Sequence, residues 1–258
     1  MYIESLKLLH WNINQRYAYN TPTFVADEII KYKAHIVVLT EFNKTTNYYD
    51  DLVKRIEDSE YRVFIDSRPR KEKIRQVLIA IHKELINNQP VKITELPDNE
   101  NNIDNGKFPN FMRVDFNYCN QPITIIGTRI RIKKSSGKEE QLRRRKQFKT
   151  LMNFIPEDRG IIILGDFNIS DQGAFKSPTS EWHFDKHYKN ELNQRGLEVK
   201  IPKGEICSPV DTGLKMDHLI INKIINVKKY PYYEDRNLGE GNNVPDHAIL
   251  IAEVGITG

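Results

Sequence analysis

The chain has 258 residues and a mass of 30.3 kDa, with 39 Lys and Arg against 35 Asp and Glu and 39% hydrophobic residues. That composition excludes a disordered or collagen-like chain. Its longest apolar runs, such as Ile161 to Leu164 and Ile36 to Leu39, fall far short of the roughly 18 residues a membrane helix needs. The length suits one large domain or two small ones. The N-terminus, Met1 to His10, lacks a basic segment followed by an apolar run, which reads as a cytoplasmic protein with no membrane partner. Cys119 and Cys207 lie outside any CxxC or metal spacing and read as buried free thiols.

In chain order, Leu6 to Asn12 and His35 to Thr40 are apolar, β-branched runs of strand length. Between them Thr21-Pro22 starts a helix, Thr as N-cap and Pro in the first turn. Tyr61 to Asp66, Gln76 to His82, Val91 to Glu95, Met112 to Tyr118 and Ile123 to Thr128 follow as strands joined mostly by hairpin loops. Phe148, Leu151, Met152 and Ile155 then fall at i, i+3, i+4 and i+7, one face of a helix that ends before Pro156. Ile161 to Leu164 is again a strand. After Asn168 glycines and prolines mark loops around a short helical piece near His187 to Asn193, and strands return at Lys215 to Ile221, Ile224 to Tyr230 and Ala248 to Val254. With no internal repeat and no low-complexity linker, residues 1–258 read as one compact domain of mixed α and β structure.

Charge is uneven along this order. Arg129 to Lys149 holds ten basic residues against two acidic ones, and Arg68 to Arg75 holds five against one. Such stretches suit a polyanion. The spacing of Glu139 with Arg143 and Glu140 with Arg144 equally describes a solvated helix surface laced by i,i+4 pairs.

Four segments end a strand in polar residues: Trp11-Asn12-Ile13-Asn14, Leu39-Thr40-Glu41-Phe42, Leu164-Gly165-Asp166-Phe167-Asn168 and Pro245-Asp246-His247. Carboxylates and amides from several strand ends can converge into an oxygen-rich site of the kind Mg²⁺ or Mn²⁺ prefers, and an Asp-His pair sets an imidazole beside it for proton transfer. A second Asp-His pair, Asp217-His218, sits in an alternating strand, so only one of the two can point into a given site. Read alone, Asp166-Phe167-Asn168 is an ordinary strand-to-turn motif. His183 and His187 lack a further ligand at helical spacing. Trp182, Phe184 and Tyr188 could stack on a base or pack a loop, and His10, His35, His82 and His218 read as structural.

Taken in order, Asn12, Glu41, Asp166 with Asn168, Asp217, and Asp246 with His247 resemble the endonuclease/exonuclease/phosphatase superfamily along the whole chain. The resemblance implies a four-layered α/β sandwich, two mixed β-sheets flanked by helices, that cuts phosphate esters with a divalent cation. It implies Glu41 as the principal metal-binding residue, with Asp246, Asn12 and Asn14 as direct or water-mediated partners. Asp166 and Asn168 match the pair that positions the attacking water and the phosphate, His247 the histidine at the scissile phosphate, and Asp217 the carboxylate orienting it. The chain departs from the pattern at Thr128-Arg129, where many members have Thr-His, at Thr40 in place of Gln, and at Asn14 in place of Asp. Arginine stays charged at any working pH and clamps a phosphate rather than donating a proton.

The expected activity is therefore metal-dependent phosphodiester hydrolysis, endo- or exonucleolytic, with DNA as substrate and Arg129, Arg131, Lys133, Arg143 and Arg144 on its phosphates. A phosphodiesterase or phosphatase for a small or lipid phosphate ester, and a non-catalytic nucleic-acid-binding module, are the alternatives.

Overall fold

Alternating apolar residues build two layers of strand with opposite faces buried in different places. In the computed structural model, residues 4–13, 21–43, 49–65, 75–87, 89–95, 110–132, 137–234 and 245–257 are described. Among them, one six-stranded sheet runs β11 (Ile225–Glu234), β12 (Ile249–Ile256), β1 (Leu6–Asn12), β2 (Ile36–Asn43), β4 (Arg75–His82), β3 (Tyr61–Ile65). The other runs β5 (Lys92–Glu95), β6 (Asn110–Tyr118), β7 (Gln121–Arg129), β8 (Gly160–Asp166), β10 (Asp217–Asn222), β9 (Leu197–Lys200). Each sheet has one parallel pair at its centre, β1 with β2 and β7 with β8, and antiparallel neighbours on both sides.

The sheets pack face to face over Leu8, Ile36, Val38, Ile79, Ile125, Ile162, Leu164, Leu219 and Leu250. On the outer face of the first sheet, Leu9, Val37 and Leu39 meet Val25 and Ile29 of α1 (Thr21–Tyr32) and Leu52 and Ile56 of α2 (Tyr49–Asp58). On the outer face of the second, Ile126, Ile161 and Ile163 meet Phe148 and Leu151 of α4 (Lys138–Phe154); a single turn, α3 (Lys83–Ile86), follows β4. The order is helix, sheet, sheet, helix: the four-layered sandwich of two mixed sheets. Each fully buried Leu, Ile or Val contributes about 1.5–3 kcal/mol, and the three clusters together hold the layers in register.

Four details differ from the sequence reading. Helix α2 is an addition; Leu52 and Ile56 at i,i+4 and Asp50 and Asp51 in its first turn are its signals. β9 is a short edge strand paired to β10. The helical piece near His187 begins as a π-turn, Phe184–Lys189, and continues as α5 (Asn190–Gln194). Cys119 is exposed rather than buried, because Cys119 and Asn120 form the two-residue β6–β7 hairpin loop with φ of +51° and +63°, the signature of a type I′ turn whose tip faces water. Cys207 is half-buried, and both thiols are free.

Gly165 faces the β7 backbone with no room for a side chain: a Cβ there would lie 2.0 Å from the Thr128 carbonyl oxygen. Gly165→Ala is expected to destabilise the protein by about 1–3 kcal/mol through overpacking and to move the neighbouring Asp166. Urea denaturation checks the first and turnover the second.

Candidate active site

The inner-face rows that are apolar in mid-sheet turn polar at one end. Leu6 and Leu8 continue as His10 and Asn12, Ile36 and Val38 as Thr40, Ile125 and Gly127 as Arg129, Ile162 and Leu164 as Asp166, and Ile221 and Leu219 as Asp217. Period two places all of them between the sheets. Glu41 breaks the alternation, since strict alternation would send it outward with Val37 and Leu39. A β-bulge between Thr40 and Phe42 and a φ of +58° at Glu41 turn its carboxylate inward while Phe42 resumes the outer row. Asn168 likewise has φ +48°. Two non-glycine residues held in the left-handed region at one site are stored strain of the kind found at functional positions.

Asn12 is the hub. Its buried Nδ2 lies 3.4 Å from Glu41 Oε1, 3.1 Å from Asp166 Oδ2 and 3.3 Å from His247 Nε2. Asp166 also accepts the backbone N–H of Asn168 at 2.9 Å and the Asn168 side-chain amide at 3.0 Å, and that amide also donates to the Ile130 carbonyl at 2.7 Å. Arg129 places Nη2 2.5 Å from Glu41 Oε1 and Nε 3.8 Å from Asp166 Oδ2.

Behind this cluster Asp217 is fully buried between two imidazoles. Its Oδ2 accepts from His247 Nδ1 at 2.8 Å and from the Ser208 hydroxyl, and its Oδ1 accepts from His10 Nε2 at 2.9 Å. His10 Nδ1 faces the Val38 carbonyl at 3.1 Å. The main chain of His247 is pinned by Trp11 Nε1, which donates to its carbonyl at 2.9 Å, and that of Asp246 by the Val210 N–H, also at 2.9 Å. His218 points the other way, into the aromatic cluster, with Nδ1 2.9 Å from the Tyr188 hydroxyl.

Burial and these partners move the ionisations apart. Burial first, then the charge of Asp217, raises Asp166 to about 6 against the opposing pull of His247, Arg129 and the Asn168 N–H. Burial alone would lower His247, but the charge and hydrogen bond of Asp217, followed by Asp166 and Asp246, carry it up to about 9. Asp217 is held well below the carboxylate range: its burial is overruled by the charge of His247 and the hydrogen bonds from His10 and His247. Asp166 is therefore raised toward neutrality, and His247 is held in its protonated form.

The raised His247 value has a thermodynamic consequence. The folded state binds that proton more tightly than the unfolded chain, so the stabilisation is complete below pH 6.5 and lost as pH rises through about 9. Denaturant titrations in chelator are expected to show stability falling by about 2–3 kcal/mol across that window, and His247→Gln is expected to flatten it.

Of the other residues singled out in the sequence, Asp246 is half-buried beside His247. Arg143 and Arg144 make their contacts within the protein. Arg144 is buried, with Nε on Glu140 at 3.2 Å and Nη1 donating to the Asn168 carbonyl at 3.1 Å. Arg143 binds Glu140 at 2.6 Å and the Arg131 carbonyl at 2.8 Å. They fasten α4 beneath the Asp166–Asn168 turn because Glu140 faces inward, not to solvent. Arg131 is half-buried, held through its backbone by Gln147. Asn14, Lys133 and most of Arg68 to Arg75 lie outside the described residues. Trp182, Phe184 and Tyr188 are buried core around Phe148, and His183 caps the π-turn by accepting the Asp185 and Lys186 N–H groups. His10 and Ser208 are the site residues that the sequence reading passed over. The parity of His10 with Asn12 on β1 was a usable signal, whereas nothing local marks Ser208.

Among the described residues no group of three or more His, Cys, Asp or Glu is arranged as a metal site. The oxygen donors present are the carboxylates of Glu41 and Asp166, hard ligands of the type Mg²⁺ and Mn²⁺ accept, while Asn12 turns its amide nitrogen toward them. A guanidinium stands where they converge, so the cluster attracts positive charge and its chemistry fits a divalent cation.

What is defined is a fold class: the chain has the fold of solved endonuclease/exonuclease/phosphatase proteins. No protein-family model and no curated protein matches the sequence, but solved structures match its fold along nearly its whole length. D. rerio TDP2 complexed with a single-strand DNA product has a TM-score of 0.68 at 14% identity, covering 98% of this chain and 100% of that one. An endonuclease/exonuclease/phosphatase protein from Beutenbergia cavernae has a TM-score of 0.68 at 11% identity, covering 99% and 72%. ANGEL2, a 2′,3′-cyclic phosphatase bound to adenosine-2′,3′-vanadate, has a TM-score of 0.66 at 11% identity, covering 99% and 97%.

Proposed function

We propose that this protein is a divalent-cation-dependent phosphodiester hydrolase, that residues 1–258 form one catalytic unit, and that its substrate is DNA. The observation that carries the reading is the meeting of Glu41, Asp166 and His247 within 3.4 Å of one Asn12 nitrogen, backed by the buried Asp217. The structural likeness to TDP2 with a DNA product favours a nucleic-acid substrate.

Asp166, with its raised pKa and its Asn168 partner, orients and deprotonates the attacking water. The His247 imidazolium, fixed through Nδ1 by Asp217, presents Nε2 to the phosphate. Arg129 offers further positive charge beside Asp166. Mg²⁺ or Mn²⁺, held by Glu41 with Asn12 and Asp246 in support, would neutralise charge growing on the phosphate oxygens.

The test is incubation of purified protein with plasmid and single-stranded DNA in Mg²⁺, Mn²⁺ or chelator, with Asp166→Asn as the contamination control. Cleavage that needs both the metal and Asp166 supports the reading, and the products separate internal cuts from end trimming. The inward turn of Arg143 and Arg144 favours a second reading, a small phosphate ester, because it leaves less of the basic block for a polyanion. Metal-dependent turnover of a soluble phosphodiester without DNA cleavage would establish it.

A further inference from the structure

Resting on the cation-dependent reading above, we infer that Arg129 is a built-in competitor for the metal: its guanidinium holds the cation position against Glu41, and a divalent ion must displace it to bind. Glu41 and Asp166 are almost fully buried, at 6% and 2% side-chain exposure, and Arg129 at 8% is shut in with them. Buried carboxylates require a positive partner. Here it comes from within the chain, with Nη2 on Glu41 Oε1 at 2.5 Å and Nε toward Asp166 Oδ2 at 3.8 Å. The parallel register places Arg129 directly opposite Asp166, and the inner-row parity of β7 aims it between the sheets. Its position is therefore set by the sheet and not by a mobile surface rotamer.

A guanidinium and a divalent cation on the same buried Glu41 carboxylate are like charges at close range and repel strongly. Metal binding must therefore push Arg129 off Glu41. The displaced guanidinium remains tethered beside Asp166, where an incoming phosphate is its natural new partner. Two effects follow from one residue: the bare protein neutralises its own acidic site, and its affinity for metal alone is held down.

The measurement is Mn²⁺ affinity by electron paramagnetic resonance with no substrate, for wild type, Arg129→Met and Arg129→Lys, together with melting in chelator and after Mn²⁺ addition. Arg129→Met is expected to bind Mn²⁺ at least ten-fold more tightly than wild type, to melt lower in chelator, and to gain more from added Mn²⁺. Arg129→Lys keeps a charge for Glu41 on a single ammonium and is expected to fall between the two, which preserves the test if the Met variant does not fold. Equal or weaker Mn²⁺ binding in both variants than in wild type would overturn the competitor role while leaving the cation-dependent reading in place. Absence of Mn²⁺ binding in all three proteins would overturn that reading and the inference with it.

Discussion

Asp166→Asn is expected to lower turnover by about a thousand-fold with little change in KM and a melting temperature within a few degrees of wild type. Both carboxylate oxygens are occupied by donors: Oδ1 takes the Asn168 N–H, and Oδ2 takes the Asn12 and Asn168 amides. Those contacts orient the group while burial lifts its pKa to about 6, which suits it to the proposed role of base near neutral pH. The amide is nearly isosteric but cannot accept a proton. Removing a buried carboxylate that resists ionisation also relieves some strain, which offsets the hydrogen bonds weakened by the exchange. Steady-state kinetics with circular dichroism melting checks both halves. A parallel fall in kcat and kcat/KM would place the interaction in the transition state, whereas full activity would remove Asp166 from the chemistry.

Asp217→Ala is expected to damage both activity and fold, lowering turnover by about a hundred- to ten-thousand-fold and stability by about 3–5 kcal/mol. Asp217 is the shared acceptor of His247, His10 and Ser208, so its loss strands three buried polar groups. With its charge gone, burial dominates at His247 and pulls that imidazole down, so the alkaline loss of stability predicted above disappears as well. Urea denaturation at pH 7 and pH 9 measures the two effects together. A stability loss under about 1 kcal/mol would mean that water replaces Asp217 and that the two imidazoles do not depend on it.

Much of the fold was legible because the inner-face rows are runs of β-branched and aliphatic residues, and those of β1, β2, β7, β8 and β10 turn polar at one end. Asn12, Asp166 and Asp217 could be placed from that alternation, and it also sends His218 away from the site, where it packs against Tyr188. Glu41 was recognisable only as part of an ordered series of motifs, since its inward turn depends on a bulge that strand periodicity does not encode. Arg143 and Arg144 were misleading in the opposite way. Their spacing from Glu139 and Glu140 describes an exposed helix surface, yet Glu140 lies under the Asp166 turn and draws both arginines inward. Local spacing identifies which side chains can pair but not which face of a helix the rest of the chain covers. His10 shows the same gap from the other side: read as a lone histidine it is structural, and only its long-range neighbour Asp217, 207 residues away, gives it a place at the site.

The two sheets draw the strand-borne members of the cluster from interior strands. Asn12, Glu41, Arg129, Asp166 and Asp217 sit on β1, β2, β7, β8 and β10, while His247 lies in the connection between β11 and β12. None of the six comes from the edge strands β3, β5, β9 or β11. The connections to the edge strands are a different matter: the one between β11 and β12 carries Asp246 and His247, and the one between β9 and β10 carries Ser208 and Val210, so a change in length at either border reaches the cluster directly.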